Sequence, residues 1–571
     1  MLIELAEPFN ALPVEMAKVS GARLLWRERS AHDSSGLSDS QFVDSYSWVT
    51  KKNFLADETS VCDNVTRTMF AERYGGAGLA TNGGGARVVN FNDVQIKGVG
   101  ANALAGEGAP RSHSYGGLDI QGAVKEIIYS RLLNRISPVG TQAIHGLILL
   151  DKTSALHNGD PAPSVLLVRE RVGRPAHFLP CVNFRVKPEH RALMRSDYSR
   201  VLGIYKSIGR RALLSEFYAL TQQFLDKCAD QLTFFRMARL VHGALAPSNI
   251  GLDGRVLDTA LCSFIVSGSN YGQVTSYFEE AATPPLVVRE WFYLINKFLA
   301  DKPAEEHFYK LYEEKCRQYV SLNLGFIFGL DRDTSTKLSI TVEWARVMAR
   351  VFYLLSSGSP VKSTVLPTVD AKDFFNDIVT ASLYAIVNDC TITKPVKFLS
   401  EFTAELKALI KIIAPYFGCY GENERSLYRA LAIQTIKRAV LSSFFFITYI
   451  GRAVDEHYAV DGIDGTARLI DEMDGIAGWI YESLLSERTT IYSGGGISIS
   501  YSAESDEFSY SDGGGTDIRG ADVQTLRRIV DQNKSGYAIR GFDFYSYLSR
   551  LLALLDGDAV NSFNGVRNVF R

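Results

Sequence analysis

Cysteine is sparse in this chain and poorly placed for joint work. The seven, at positions 62, 181, 228, 262, 316, 390 and 419, include no CxxC pair and no histidine partners at metal-ligand spacing. That argues against a zinc module and against a disulfide framework, and leaves them as reduced structural thiols. An excess of charge of one sign is also missing. The 61 Lys and Arg against 63 Asp and Glu give a formal net charge of −2, so there is no electrostatic reason to expect sequence-independent nucleic-acid binding. Long apolar runs are absent, and the greasiest, Phe444 to Ile450, is far too short to span a bilayer. The opening MLIELAEPFNALPVEMAKVSG has acids at Glu4 and Glu7 where a secretion signal has a basic start and an apolar stretch, so the expected compartment is the cytoplasm. No internal repeat is found.

What is present is ordinary material for a folded protein. Hydrophobic residues make up 46% and charged residues 22%, which excludes wholesale disorder. With 571 residues the chain is long enough for several domains or for one large two-lobed enzyme. From 61 to 195, apolar runs such as VQIKGV (94–99), HGLILLD (145–151) and SVLLVRE (164–170) alternate with glycine-rich connectors and predict strands and turns. One helix is predicted among them near 119–136, where Ile120, Val124, Ile127, Ile128, Leu132 and Leu133 return at helical spacing. Beyond 195 the chain turns to long amphipathic segments, at 212–240, 286–321, 337–356, 401–414, 424–451, 465–485 and 541–555, which predict helices. The expectation is an α+β protein: an N-terminal extension over 1–60, a strand-rich part over 61–195 and a helical part over 196–571. The stretch YSGGGISISYSAESDEFSYSDGGG (492–515) is expected as a protruding hairpin or flexible flap.

Four segments carry candidate chemistry. The most specific is HGALAPSNIGLDGRVLD, His242 to Asp258, directly after an apolar helix. Small-molecule kinases commonly have His-Gly-Asp, an Asn five residues after that Asp, and a second Asp on the next short strand. Asn249 and Asp258 stand at the last two places, where oxygen ligands from adjacent segments can share one divalent cation. Ala244 stands where the general base would be. A plain turn in which Asn and Asp satisfy backbone groups fits this loop equally well. Second, Lys97 ends an apolar strand and Glu126 lies on the following helix, a pairing that can fix a phosphate-binding lysine; a wet strand face and a solvated helix charge are the simpler alternatives. Third, YGGAGLATNGGGARV (74–88) has glycines enough for an anion cradle and ends at Arg87. Fourth, Arg169, Arg171 and Arg174 follow an apolar strand, a pattern that also suits a solvated face.

The ordered set of segments resembles selenoprotein O, a pseudokinase family: the Tyr-Gly-Gly run, QIKGVG, the helix VKEIIYSRLLNRI, the arginine-bearing strand, and HGALAPSNIGLDGRVLD with Asn249 and Asp258 nine apart. The resemblance covers roughly residues 70–265. It implies a two-lobed protein-kinase-like fold with a strand-rich N-lobe and a large helical C-lobe. The implied activity is nucleotidyl transfer, with ATP inverted so that AMP passes to an acceptor (AMPylation). By motif, Gly84, Arg87, Lys97, Arg169 and Arg174 are the implied nucleotide contacts, Lys97 and Glu126 the implied catalytic pair, and Asn249 and Asp258 the implied ligands of Mg²⁺ or Mn²⁺. Ser248 departs from the family, which has an Asp there as its proposed base, and the family's Asp-Gly-Arg element is replaced by SYGGLD (114–119). More narrowly, the chain resembles MchC-type maturation proteins of siderophore microcins, which work with an acyltransferase-like partner on a peptide C-terminus. A carboxylate acceptor needs no base, because it is already ionised at neutral pH. The expected partners are thus a peptide or protein acceptor and an acyltransferase-like protein. Phosphotransfer assisted by Ser248 or Asp253, and a non-catalytic pseudokinase scaffold, are the alternatives.

Overall fold

The computed structural model describes residues 2–29, 36–50, 65–79, 81–110, 114–155, 161–194, 196–264, 280–356, 379–389, 397–416, 423–484, 488–539 and 542–556. Cys62, Cys390 and Cys419 fall outside these, while Cys181, Cys228, Cys262 and Cys316 form no disulfide. The N-terminal strands are β1 (Ala11–Lys18), β2 (Arg23–Arg27), β3 (Trp48–Thr50), β4 (Thr66–Glu72), β5 (Val88–Phe91), β6 (Val94–Lys97), β7 (Ile144–Ala155) and β8 (Pro161–Glu170). They pair antiparallel into one eight-stranded sheet, in the order β2-β7-β8-β6-β5-β4-β1-β3. The first fifty residues are therefore no extension. They supply three strands, including both edges of the sheet.

Each face of the sheet is covered, which is why the run Val165 to Val168 is buried without interruption. Ile96, Leu166 and Val168 face a cluster that includes Trp48 and Phe42 of helix α2 (Asp39–Tyr46), the second helix after α1 (Leu2–Asn10). Leu147, Val165 and Leu167 face the other way, toward Val124, Ile127 and Ile128 of helix α3 (Ile120–Ile136). Side chains alternate along a strand, so Gln95 and Lys97, the neighbours of Ile96, belong to the α3 side. Helix α3 starts where the Asp119 carboxylate accepts from the Gly122 N–H at 2.7 Å and ends just before Pro138.

Helices dominate the remainder, as expected, though the breaks fall elsewhere. After helix α4 (Asp197–Arg210) and α5 (Leu214–Ala238), the segment predicted as one helix over 286–321 forms two, α6 (Thr283–Leu299) and α7 (Glu305–Phe328). Ala300 in the left-handed region (φ 54°) and Pro303 separate them. Then follow α8 (Arg332–Leu338), α9 (Val342–Ser356), α10 (Thr380–Val387), α11 (Lys397–Ile413), α12 (Glu424–Leu441) and α13 (Ile447–Ile480). Gly462 interrupts α13 with φ 59° and ψ −134°. Among the described residues no single helix is long and apolar enough to cross a membrane; α12 and α13 reach that only as a pair bent by 56°.

The glycine-rich stretch 492–515 is not a protruding flap. It belongs to a four-stranded antiparallel meander of β-strands Arg488–Gly494, Ile497–Ser502, Glu507–Ser511 and Asp517–Ala521. Tyr492, Ile497, Ile499, Tyr501, Phe508 and Tyr510 are buried and join the main core. Alternation puts these side chains on one face, and burying a large apolar side chain contributes roughly 1.5–3 kcal/mol. Helices α14 (Val523–Gln532) and α15 (Phe544–Asp556) close the described chain.

Candidate functional site

Lys97 sits at the end of β6 with only 2% of its surface exposed. Gly98 lets the chain leave the strand there at φ 97°, where a Cβ would lie 2.5 Å from the Val165 carbonyl oxygen. The Lys97 ammonium donates to Glu126 Oε2 at 2.7 Å and to Asp258 Oδ1 at 2.5 Å. Glu126 is fixed from its other side by Arg169, whose Nη1 donates to Oε1. Strand register explains the meeting, since Gln95 pairs with Arg169 and Lys97 with Leu167 across β6 and β8. Neither the wet strand face nor the solvated helix charge applies. Lys97, Glu126 and Arg169 are all buried in the seam between the sheet and α3.

The loop His242–Asp258 closes the site from the helical side. It leaves the short strand β9 (Leu240–Val241), which pairs with β10 (Ser263–Phe264). Ile250 and Val256 form an antiparallel bridge, and the Leu257 N–H donates to the Asn249 carbonyl at 2.9 Å, so the segments bearing Asn249 and Asp258 run side by side. The Asn249 amide nitrogen donates to Ala244 O at 2.8 Å, which identifies its nitrogen and leaves the amide oxygen as an acceptor. Asp258 adopts φ 56°, ψ 57°, a left-handed conformation that a non-glycine residue holds at a cost, as residues at functional sites often do. Burial would raise its carboxyl pKa, but Lys97, then Arg169 and Arg87, outweigh burial and hold it far below the ordinary carboxylate range. It is ionised at any physiological pH.

The remaining candidates are placed unequally. Arg174 donates from Nη1 to Ser248 O at 2.6 Å and from Nη2 to Gln95 Oε1 at 3.1 Å, with its guanidinium 5.4 Å from the Tyr74 ring centroid. It ties the loop to the sheet. Arg87 donates to Gly117 O at 2.9 Å, inside the SYGGLD segment, and is near enough to Asp258 to lower its pKa. Gly84 forms a bridge with Arg73, where a Cβ would lie 2.2 Å from Glu72 O. Its role is close backbone approach. Arg171 pairs with Glu7 and Glu72.

The two candidate bases for phosphotransfer stand in different settings. Ser248 is buried with its carbonyl taken by Arg174. Asp253 is exposed and bonded to Arg255 at 2.6 Å.

Three residues of the site went unforeseen. Gln95 accepts from Arg169 Nε at 2.9 Å and from Arg174, and donates to Glu72 Oε2 at 3.2 Å, so it couples both arginines to a buried acid. Its place two residues before Lys97 on a strand was the available signal. Tyr74 supplies the ring beneath Arg174. Glu280 accepts the backbone N–H groups of His242 at 3.0 Å and Gly243 at 2.8 Å, and burial pushes its pKa up to about 7 despite those donors. No local pattern announces Glu280, which lies 38 residues after its partner.

No protein-family model and no curated protein matches the chain. The chemistry of the site therefore rests on its own groups. Lys97, Arg87 and Arg169 surround the carboxylates of Glu126 and Asp258, an arrangement suited to a polyanion. Among the described residues no three His, Cys, Asp or Glu converge. The Asn249 amide oxygen and the second oxygen of Asp258 are hard donors of the type that would suit a divalent cation.

Proposed function

We propose that this chain is an ATP-dependent nucleotidyltransferase with a kinase-like, selenoprotein O-type site, which places AMP on a carboxylate such as a peptide C-terminus during peptide maturation. The observation that carries the reading is the buried Lys97 ammonium at the end of its strand bonded to Glu126 of the following helix. Supporting it, β4, β5, β6, β8 and β7 lie adjacent in that order, with the glycine-rich segment between the first two and Lys97 on the third. The Glu126 helix follows the lysine strand. These are the parts with which a kinase small lobe holds nucleotide phosphates. Lys97 and Arg87 would contact phosphate oxygens, Glu126 would position Lys97, and Arg169 would hold Glu126. Arg174 would anchor the metal-bearing loop through Ser248. Asn249 and Asp258 would hold Mg²⁺ or Mn²⁺, which supplies charge neutralisation on the phosphates when bound.

In the proposed step a carboxylate oxygen attacks the α-phosphorus, the bond to the β-phosphate oxygen breaks, and pyrophosphate leaves. No proton has to be removed from the attacking group, which accords with Ala244 and Ser248 standing where bases would be. With peptide acceptor present, α-labelled ATP is expected to label the acceptor or support pyrophosphate exchange, while γ-label stays off it. Lys97→Met or Asp258→Asn should cost at least about a hundredfold in turnover. Release of ADP with γ-label on the acceptor would replace this reading with phosphotransfer.

A second reading is favoured by one observation. Lys97 and Asp258 satisfy each other at 2.5 Å, as in a site that holds itself closed. In that case the chain is a non-catalytic scaffold for an acyltransferase-like partner. Retained biological function in Asp258→Asn would decide for it.

A further inference from the structure

Between β8 and α4 the chain runs through a segment, 181–194, that is built onto the glycine-rich stretch 74–88. The Cys181 thiol donates to Asn82 O at 2.8 Å, and the Phe184 ring lies so near Gly83 that a Cβ there would come within 2.6 Å of it. The Arg185 carbonyl accepts from the Glu107 N–H at 2.7 Å, and the Asp197 carboxylate from the Cys181 N–H at 2.5 Å. Phe184 and Met194, near the two ends of the segment, pack against the cluster that contains Ala71, Ala86 and Leu104. The backbone is thus fixed beside the stretch that leads to Arg87.

The side chains of this segment serve little inside the fold. The turn Pro188–Leu193 buries none of its residues. Val182 is 81% exposed and Leu193 61%. Four basic residues, Arg185, Lys187, His190 and Arg191, stand against one acid, Glu189. Among the described residues none of those four forms an ion pair. Tyr198, in the first turn of α4 and 55% exposed, continues the face. The Lys297 ammonium of α6 stands 5.5 Å from the centroid of its ring, 5.7 Å from that of Tyr293 and 5.5 Å from that of Phe298. Three rings hold this exposed cation, and among the described residues no carboxylate pairs with it.

Scattered surface cations are ordinary and well hydrated. Here they share a fixed backbone with exposed aliphatic and aromatic side chains, a composition complementary to a peptide that carries acids among apolar residues. A nucleic-acid backbone would use the cations and leave Val182 and Leu193 bare. We propose that segment 181–194, with Tyr198 and Lys297 at its border, is a docking surface for an acidic peptide with interspersed apolar residues. The docking needs no nucleotide; that the docked peptide is the acceptor rests on the nucleotidyl-transfer reading above.

Fluorescence anisotropy of the full chain with a fluorescein-labelled peptide in which Glu alternates with Leu tests the proposal. The assay contains no ATP, so its result is independent of chemistry at Lys97. Binding should show a dissociation constant on the order of 0.1 mM at low ionic strength and weaken as salt is added. A peptide with Ser in place of Leu should bind at least about fivefold more weakly, since it keeps the charge and loses the apolar contacts. Arg185→Glu combined with Arg191→Glu should weaken binding at least about tenfold, and Leu193→Ser or Lys297→Glu at least about threefold each. Absence of binding overturns the proposal, as does binding that survives the double charge reversal. Equal binding of the Ser peptide overturns it too, as does tighter binding of single-stranded oligothymidylate than of the Glu–Leu peptide. If the double variant does not fold, Leu193→Ser and Lys297→Glu decide, because they lie on different elements; binding that both leave unchanged overturns the proposal.

Discussion

Single side chains bear unequal loads at the Lys97 site, and Gln95 bears more than its neutral amide suggests. Its oxygen serves Arg169 and Arg174 together, and its nitrogen serves Glu72. Gln95→Leu should remove a partner from four buried polar groups, on Arg169, Arg174, Glu72 and Asn90, and lower stability by about 1–3 kcal/mol, read as a fall in the urea midpoint. Under the proposed function, loss of nucleotide affinity should accompany it, because both arginines lose their common acceptor. Glu280 gives a pH signature. Its folded pKa, about 7, lies above its ordinary value of 4.5. The folded state therefore keeps a proton that the unfolded chain releases, and its contribution is full below about 4.5 and is lost as pH rises through 7. Calorimetry at pH 5 and pH 7.5 should show a larger fall in Tm for the native protein than for Glu280→Gln. Parallel profiles would show that the carboxyl does not titrate there. That Lys97 meets Glu126 and Asp258 was legible in the sequence, because the strand lysine, the helix after it and the loop ending at Asp258 follow in a recognisable order. Glu280 was not, since what gives it a role is a contact between distant segments.

At the level of elements, hydrophobic periodicity located most helices and the strands at 94–97, 144–155 and 161–170, yet misjudged where elements belong. The meander beginning at Arg488 reads as a flap because its alternation of Ser with Tyr and Ile marks a one-sided sheet without saying what covers the apolar side. The helices behind it supply that cover. Likewise the strands of the first fifty residues looked detachable, because their partners in β4 and β7 are remote in sequence. Deleting residues 1–50 should expose the backbone edges of both β4 and β7 at once. The truncated protein is expected to aggregate, with the monomer peak lost in size-exclusion chromatography. A soluble monomer of unchanged Tm would mean that these strands are dispensable after all.

For the molecule as a whole, a net charge of −2 conceals a local gathering of cations, Lys97, Arg169 and Arg87 around Asp258. Averages over the chain could not reveal it. The sheet has a further consequence, in time rather than space. β2 forms one border and pairs with β7, whose first residue is 117 positions beyond the last residue of β2, whereas β1 meets β4 after fewer than fifty. During synthesis the β1–β3–β4 side can form early, while β2 waits several seconds for its partner at typical elongation rates of about 5–20 residues per second. Through that interval an apolar strand containing Leu24, Leu25 and Trp26 stands unpaired. A nascent chain halted between β4 and β7 is the state in which chaperones would find most to hold.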